Sequence, residues 1–201
     1  MKCRHAKTSE LEKVCELLAS EFYHDPVLKF AFTDENMSRR LGTMKKFFRI
    51  YVDLAQQNGG ILLAEDDVGV LVYFHPQLME MTKEENERID SLLKQECGVD
   101  YTTASAFMSG LDQYHPRTPP HFYIFLVAVS RANRGGRIVK ALFSKLNVIL
   151  DKAKLPCYAE CTAFSTRTLV RRFGYRDAGK PLQIEGFPEL FPIWREPNSI
   201  G

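Results

Sequence analysis

The chain lacks several features that would place it in a class at once. No run of about 18 or more apolar residues occurs, so a bilayer-spanning helix is not expected. The opening Met1-Lys2-Cys3-Arg4-His5 carries no apolar signal segment. Cysteine is scattered: Cys3, Cys15, Cys97, Cys157 and Cys161 form neither a CxxC pair nor a metal-finger spacing, so no disulfide framework and no metal site are expected. An excess of charge is missing too. Lys and Arg total 27 against 25 Asp and Glu, a net +2, so nothing in bulk electrostatics calls for nucleic acid or an anionic membrane. There is no internal repeat and no low-complexity linker. These absences lead us to expect a soluble, cytoplasmic protein with reduced thiols.

What is present suffices for a core. A length of 201 residues with 45% hydrophobic content fits one domain over residues 1–201. Ser9-Glu10-Leu11-Glu12 has the form of a capping box, and Leu11, Val14, Cys15, Leu18 and Phe22 follow at helical spacing, which predicts a helix over about 9–23. It ends before His24-Asp25-Pro26, and the short aromatic segment Phe30-Ala31-Phe32 follows. A second helix is predicted from Met37 to Gln57, stopping at Asn58-Gly59-Gly60. Ile61 to Glu65 and Val68 to His75 read as a hairpin turning at Asp66-Asp67. Residues 76–120 read as a helical arm beside the sheet: Thr82-Lys83-Glu84-Glu85 is a capping box, Ile89, Leu92, Leu93 and Cys97 form a stripe, and a second helix carries Ala104, Phe107, Met108 and Leu111.

The richest stretch runs from His121 to Tyr175. Phe122 to Val129 is almost wholly apolar, as a central strand buried on both faces would be. An Arg-Gly-Gly-Arg turn then leads into a helix marked by Ile138, Leu142, Leu146, Ile149 and Leu150. A strand, a glycine turn and a helix N-terminus aim several free backbone N–H groups at one point, which suits a phosphate. Pro156 to Thr162 returns as a parallel strand, a last helix starts at Ser165-Thr166-Arg167-Thr168 and is capped at Gly174, and Leu182 to Glu185 and Leu190 to Trp194 supply the final strands. Cys157 and Cys161 share a strand face without a helix dipole or an adjacent histidine, and read as small core residues.

The segment Val127-Ala128-Val129-Ser130-Arg131-Ala132-Asn133-Arg134-Gly135-Gly136-Arg137-Ile138-Val139-Lys140-Ala141-Leu142 resembles the acetyl-coenzyme A signature of the GNAT superfamily of N-acetyltransferases. Phe173-Gly174-Tyr175 resembles that family's Leu-Gly-Phe, and the helix into His24-Asp25-Pro26, His121-Phe122-Tyr123 and Pro192-Ile193-Trp194-Arg195 extend the resemblance to a small bacterial and fungal branch over nearly the whole chain. Several positions depart from the family pattern: Arg131 replaces a proline, Arg137 a glycine, Val139 a small residue, Val170 the tyrosine that protonates the departing thiolate in many members, and Thr166 or its neighbour Ser165 an asparagine often found near the start of the last helix.

The resemblance implies an α/β (mixed α+β) fold: a twisted, mostly antiparallel sheet whose central parallel strand pair splays, flanked by helices. It implies acetyl-coenzyme A, or coenzyme A, as cofactor. Leu126, Val127, Ala128 and Val129 would pair with its pantetheine arm. Arg134, Gly135, Gly136, Arg137, Ile138, Val139 and Lys140 would hold its pyrophosphate, and Ser165 or Thr166 would offer a hydroxyl. The implied activity is direct transfer of an acetyl group to the amine of a small molecule or a peptide N-terminus. A strand N–H near Val127 or Val129 would stabilise the oxyanion. An ammonium must first lose a proton, and the candidate bases are Glu160, His121, Tyr123 and His75. His24, Asp25, Tyr73 and His75 are candidate acceptor contacts. The aromatics Phe30, Phe32, Phe47, Phe48 and Tyr51 either line an apolar pocket or, as helical stripes usually do, fill the core. A second reading is a catalytically weak or inactive coenzyme A-binding sensor or interaction module. Exposed terminal strands leave a homodimer open.

Overall fold

The computed structural model describes residues 2–77, 81–134 and 136–198; Gly135, one of the expected pyrophosphate contacts, lies outside them. Among the described residues, seven strands form one sheet: β1 (Cys3–His5), β2 (Gly59–Ala64), β3 (Gly69–Phe74), β4 (Phe122–Val129), β5 (Cys157–Cys161), β6 (Arg176–Asp177) and β7 (Phe191–Arg195). Their order is β1-β2-β3-β4-β5-β7-β6. Every neighbouring pair is antiparallel except β4 and β5. This is the mixed sheet with a central parallel pair that the sequence leads one to expect.

Helices cover both faces. On one side lie α1 (Leu11–Phe22), α2 (Leu28–Ala31), α3 (Met37–Asn58), α4 (Lys83–Cys97) and α5 (Tyr101–Tyr114). On the other lie α6 (Arg137–Ala153) and α7 (Phe164–Val170). The apolar spacing explains both layers. Leu11, Val14, Cys15 and Leu18 of α1 and Met44, Phe48, Tyr51, Val52 and Ala55 of α3 are buried on the first face, and Ile138, Leu142, Leu146 and Leu150 of α6 on the second. Side chains of this kind contribute roughly 1.5–3 kcal/mol each on burial. Gly69 lets α6 approach β3, since a Cβ there would run into the Ile138 side chain. The segment between β3 and β4 holds α4, which packs on α3, and α5, which packs on α4 and α2.

Local detail departs from the sequence expectation in several places and matches it in one. The Glu10 carboxylate, not Glu12, closes the first N-terminus: it accepts Lys7 N–H at 2.7 Å and both ends of the Arg4 guanidinium, so a one-turn 3-10 segment precedes α1. The predicted Thr82–Glu85 capping box is present in both directions. Two short elements, β1 and α2, form where no strand or helix is predicted, because three and four residues are too few to show a period. The strand predicted at Leu182 to Glu185 reduces to a single bridge, Leu182 to Leu190. The outer strand is β6 instead, held by Arg176–Trp194 and Asp177–Ile193 pairing.

One irregularity positions the functional site. β3 and β4 pair Val72 with Leu126 and Tyr73 with Ile124, so Phe125 has no partner and forms a bulge. Side-chain alternation is reset there. Tyr123, Phe125, Leu126 and Ala128 pack on the α1/α3 side, whereas Ile124, Val127 and Val129 pack on the α6 side.

Candidate active site

β4 and β5 form a fork. They are paired at Phe122–Cys157, Tyr123–Tyr158 and Ile124–Ala159, and at Phe125 the pairing stops. Beyond it, Leu126 to Val129 keep β3 on one side only. Ser130 N–H donates to Val68 O at 2.9 Å, which fixes the alternation of the β3–β4 ladder: Leu126 and Ala128 spend their backbone groups on β3. Val127 and Val129 therefore turn N–H and C=O into the gap. A ligand with amide groups could add itself there as one more strand.

Glu160 stands one residue past the last β4–β5 pair, at the apex of the fork. Its Oε2 accepts the Tyr123 hydroxyl at 2.8 Å, while its Oε1 is buried without a hydrogen-bond partner among the described residues. Burial pushes the Glu160 carboxyl up to about 7, with the hydroxyls of Tyr123 and Tyr158 pulling it the other way. Burial and the neighbouring carboxylate raise Tyr123 well above its ordinary range, so Tyr123 stays a hydrogen-bond donor. A buried carboxyl that titrates near neutrality, with one oxygen unoccupied, can accept a proton from an ammonium.

His121 has a different setting. Its Nδ1 lies 2.7 Å from Pro119 O and its Nε2 lies 2.9 Å from His115 Nε2. Because Nδ1 must donate to the carbonyl, Nε2 accepts from His115 and both rings are neutral. Burial lowers both histidines, His115 to about 3. Both nitrogens of His121 are thus taken. Tyr73 points to the α6 side, with its hydroxyl 3.1 Å from His5 Nε2, and His75 is exposed beside the Phe122 ring at the base of the sheet. The structure brings Tyr123 and Glu160 together and holds Tyr73, His75 and His121 apart from them.

The end of α1 spans the mouth of the fork. Glu21 accepts Arg131 N–H at 3.2 Å and Arg134 Nη2 at 2.9 Å, on the turn after β4. Asp25 accepts the Thr162 hydroxyl at 2.6 Å, just after β5, and its other oxygen caps α2 at Val27 and Leu28 N–H. His24 is exposed with its ring edge on Tyr23. Neither Glu21 nor Thr162 carries a sequence signal, because each is defined by a partner more than a hundred residues away. Phe32, Phe47, Phe48 and Tyr51 are buried in the core and Phe30 is 43% exposed.

On the other side of the sheet, Gly136 takes φ +85° and caps α6. Such a value suits glycine. Lys140 N–H donates to Gly136 O, which leaves the N–H groups of Arg137, Ile138 and Val139 without intrahelical acceptors at the positive end of a 17-residue helix. Arg137 and Lys140 are exposed at a groove of about 640 Å³ that runs between α6 and the turn after α7. Arg172, Arg195 and Asn147 line it too. Arg195 is bound to Asp151 at 2.8 Å, yet its Nη1 and the Asn147 Oδ1 are buried without partners among the described residues. The free N–H groups at the head of α6, Arg137, Lys140, Arg172 and the Arg195 Nη1 are donors that fit a phosphorylated nucleotide. Ser165 and Thr166 are exposed in the first turn of α7, and Val170 is buried in the core.

Searches by sequence find no matching family model and no matching curated protein. Comparison of the folds is decisive. A Corynebacterium glutamicum structure described as "histone acetyltransferase HPA2 and related acetyltransferase" superposes with a TM-score of 0.67 at 20% identity, over 98% of this chain and 96% of the other. The fold is that of the GNAT acetyltransferases. The Drosophila melanogaster polyamine N-acetyltransferase, which forms N-acetylagmatine, has a TM-score of 0.59 at 15% identity, over 96% and 98% of the two chains. The C-terminal condensation domain of Ebony, solved with beta-alanyl-dopamine, has 0.58 at 10% identity, over 97% and 98%. This GNAT fold therefore resembles both acetyltransferases and a condensation domain, so the chemistry must be argued from the fork itself.

Proposed function

We propose that this protein is an N-acyltransferase that moves an acetyl group from acetyl-coenzyme A to an amine, and that Glu160 is its general base. The observation that carries the reading is the unpartnered Glu160 Oε1 at the apex of the fork, on a carboxyl titrating near 7. Acetyl-coenzyme A, when bound, would supply the acyl carbon that the amine nitrogen attacks, its carbon–sulfur bond breaking as the nitrogen–carbon bond forms, the nitrogen giving its surplus proton to solvent and the sulfur taking one from solvent.

The chain's own residues divide the remaining work. The free N–H groups of Arg137, Ile138 and Val139, with Arg137 and Lys140 beside them, hold the pyrophosphate. The exposed turn bearing Arg134 borders the same helix end, and Arg134 is already tied to Glu21. Val127 and Val129 offer backbone groups to the pantetheine amides, and a Val127 or Val129 N–H stabilises negative charge developing on the acyl oxygen. Glu160 accepts the proton released by the ammonium, and Tyr123 holds its other oxygen in place. Val170, a buried hydrocarbon, delivers no proton, which is why the leaving sulfur depends on solvent. All five cysteines are free, in keeping with the cytoplasmic setting we infer.

The test has two readouts. Coenzyme A is expected to raise the melting temperature in a concentration-dependent way, and acetyl-coenzyme A is expected to release free thiol only when an amine is present. A melting curve unmoved across the titration would remove the proposal. Binding without amine-dependent thiol release would favour a coenzyme A-binding sensor.

A further inference from the structure

The groove of about 640 Å³ along α6 differs in charge from one end to the other. At the head of the helix, exposed Arg137 and Lys140 stand beside the free N–H groups. About 15 Å further along α6, Asn147 lines the groove together with Arg195 of β7. The charge of Arg195 is matched there by Asp151 at 2.8 Å. Glu196, which accepts the Trp194 indole N–H at 2.6 Å, adds a carboxylate to the same lining. A phosphate is therefore favoured at the first end and repelled at the second, where a neutral polar group fits.

The second end holds a donor and an acceptor that are both unspent. Arg195 is 2% exposed and gives its Nη2 to Asp151, so its Nη1 is buried without a partner among the described residues. Asn147 donates its Nδ2 to Phe173 O at 3.1 Å, which fixes the amide and leaves its Oδ1 buried and unmet among the described residues. The two residues are neighbours. Asn147 lies one helical turn from Asp151, the partner of Arg195, and a Cβ on Gly174, next to Phe173, would stand 3.4 Å from Arg195 Nε. Leu169 and Phe173, both half-buried, add apolar surface to the lining.

We propose that this end of the groove reads the adenine base of the cofactor: Asn147 Oδ1 accepts the 6-amino group and Arg195 Nη1 donates to the adjacent ring nitrogen, N7. The proposal rests on the acetyl-coenzyme A reading given above and names the residues that recognise its base. Adenine carries that donor beside that acceptor on one edge and has no charge to offend Glu196. Its faces lie against Leu169 and Phe173, while the pyrophosphate stays at the head of α6.

Calorimetric titration of the intact protein with adenosine 3′,5′-bisphosphate, and with the same molecule lacking the 6-amino group, tests this without turnover. We expect saturable binding of the first, its displacement by coenzyme A, and at least about tenfold weaker binding of the second, because a buried acceptor is then left unpaired. Asn147→Leu is expected to weaken the adenosine ligand by about tenfold and to bring the two ligands within about twofold of each other. A merely structural role for Asn147 would lower both affinities together and keep their ratio. Equal binding of the two by the wild-type protein, binding of neither, binding that coenzyme A does not displace, or a ratio that survives Asn147→Leu overturns the proposal. The wild-type comparison decides it even if the variant does not fold. Absence of a coenzyme A melting shift sinks the transferase reading and this proposal with it, whereas a shift without discrimination between the two ligands sinks this proposal alone.

Discussion

Two polar clusters are buried on the same face of the sheet, and they are built on opposite terms. At the base, His115, His121 and Pro119 O form a closed set in which both nitrogens of His121 are spent on protein partners. At the apex, Tyr123 donates to one oxygen of Glu160, the Tyr158 hydroxyl lies near enough to pull its titration down, and the other oxygen has no hydrogen-bond partner among the described residues. An unmet buried acceptor costs about 1–3 kcal/mol, and such a cost persists where a site needs it. The contrast separates candidates that residue type alone could not: a histidine is the commoner general base, yet here the histidine is structural and the glutamate is available.

Replacement of the apex carboxylate is expected to have the largest effect. Glu160→Gln keeps shape and hydrogen bonding but cannot take a proton, so kcat should fall by about 100-fold to 10,000-fold, and the rise of kcat/KM with pH near 7 should disappear. An unchanged pH profile would assign the base elsewhere.

Next comes the base cluster. His121→Phe leaves the His115 donor and the Pro119 carbonyl unmet and is expected to cost about 1–3 kcal/mol of stability by denaturant titration, with the acidic limb of the rate profile left in place. A moved limb would mean that the two clusters communicate.

The third effect is the sign of stability against pH. The folded Glu160 carboxyl lies above its ordinary 4.5, so the unfolded chain ionises first and this group's contribution to stability falls as pH rises from about 4.5 to 7. His115 is the reverse: held at about 3 against an ordinary 6.5, it makes the unfolded chain bind more protons, so its contribution is lost as pH falls from about 6.5 toward 3. Glu160→Gln and His115→Phe should therefore change the slope of the melting temperature against pH in opposite directions.

Smallest is Tyr123→Phe. Its hydroxyl lowers the Glu160 titration, so removing it should carry the rate limb upward by less than about one pH unit, with a few-fold loss at neutral pH. A downward move would contradict the assigned hydrogen bond.

Much of the framework was readable without coordinates, for identifiable reasons. Long helices such as α1, α3 and α6 announce themselves by period, β4 by its unbroken apolar run, and α4 by the Thr82–Glu85 box. The glycine-capped N-terminus of α6 was legible because its turn and helix are contiguous. Glu160 was legible only as one of several bases, because what distinguishes it is a missing partner, and absence of a partner has no sequence signature. The Phe125 bulge is equally silent: one extra residue in an apolar run changes no period that a reader could count.

The end of α1 has a mechanical meaning. Glu21 grips the turn beyond β4 and Asp25 grips the residue beyond β5, and the two acids are four positions apart along one short piece of chain. The helix end works as a crossbar between the tines of the fork. Both tines are thereby tied to one short piece of chain, so the two sides of the gap share a single strut. Loosening Asp25 would free the residue beyond β5, and loosening Glu21 would free the turn that carries Arg134.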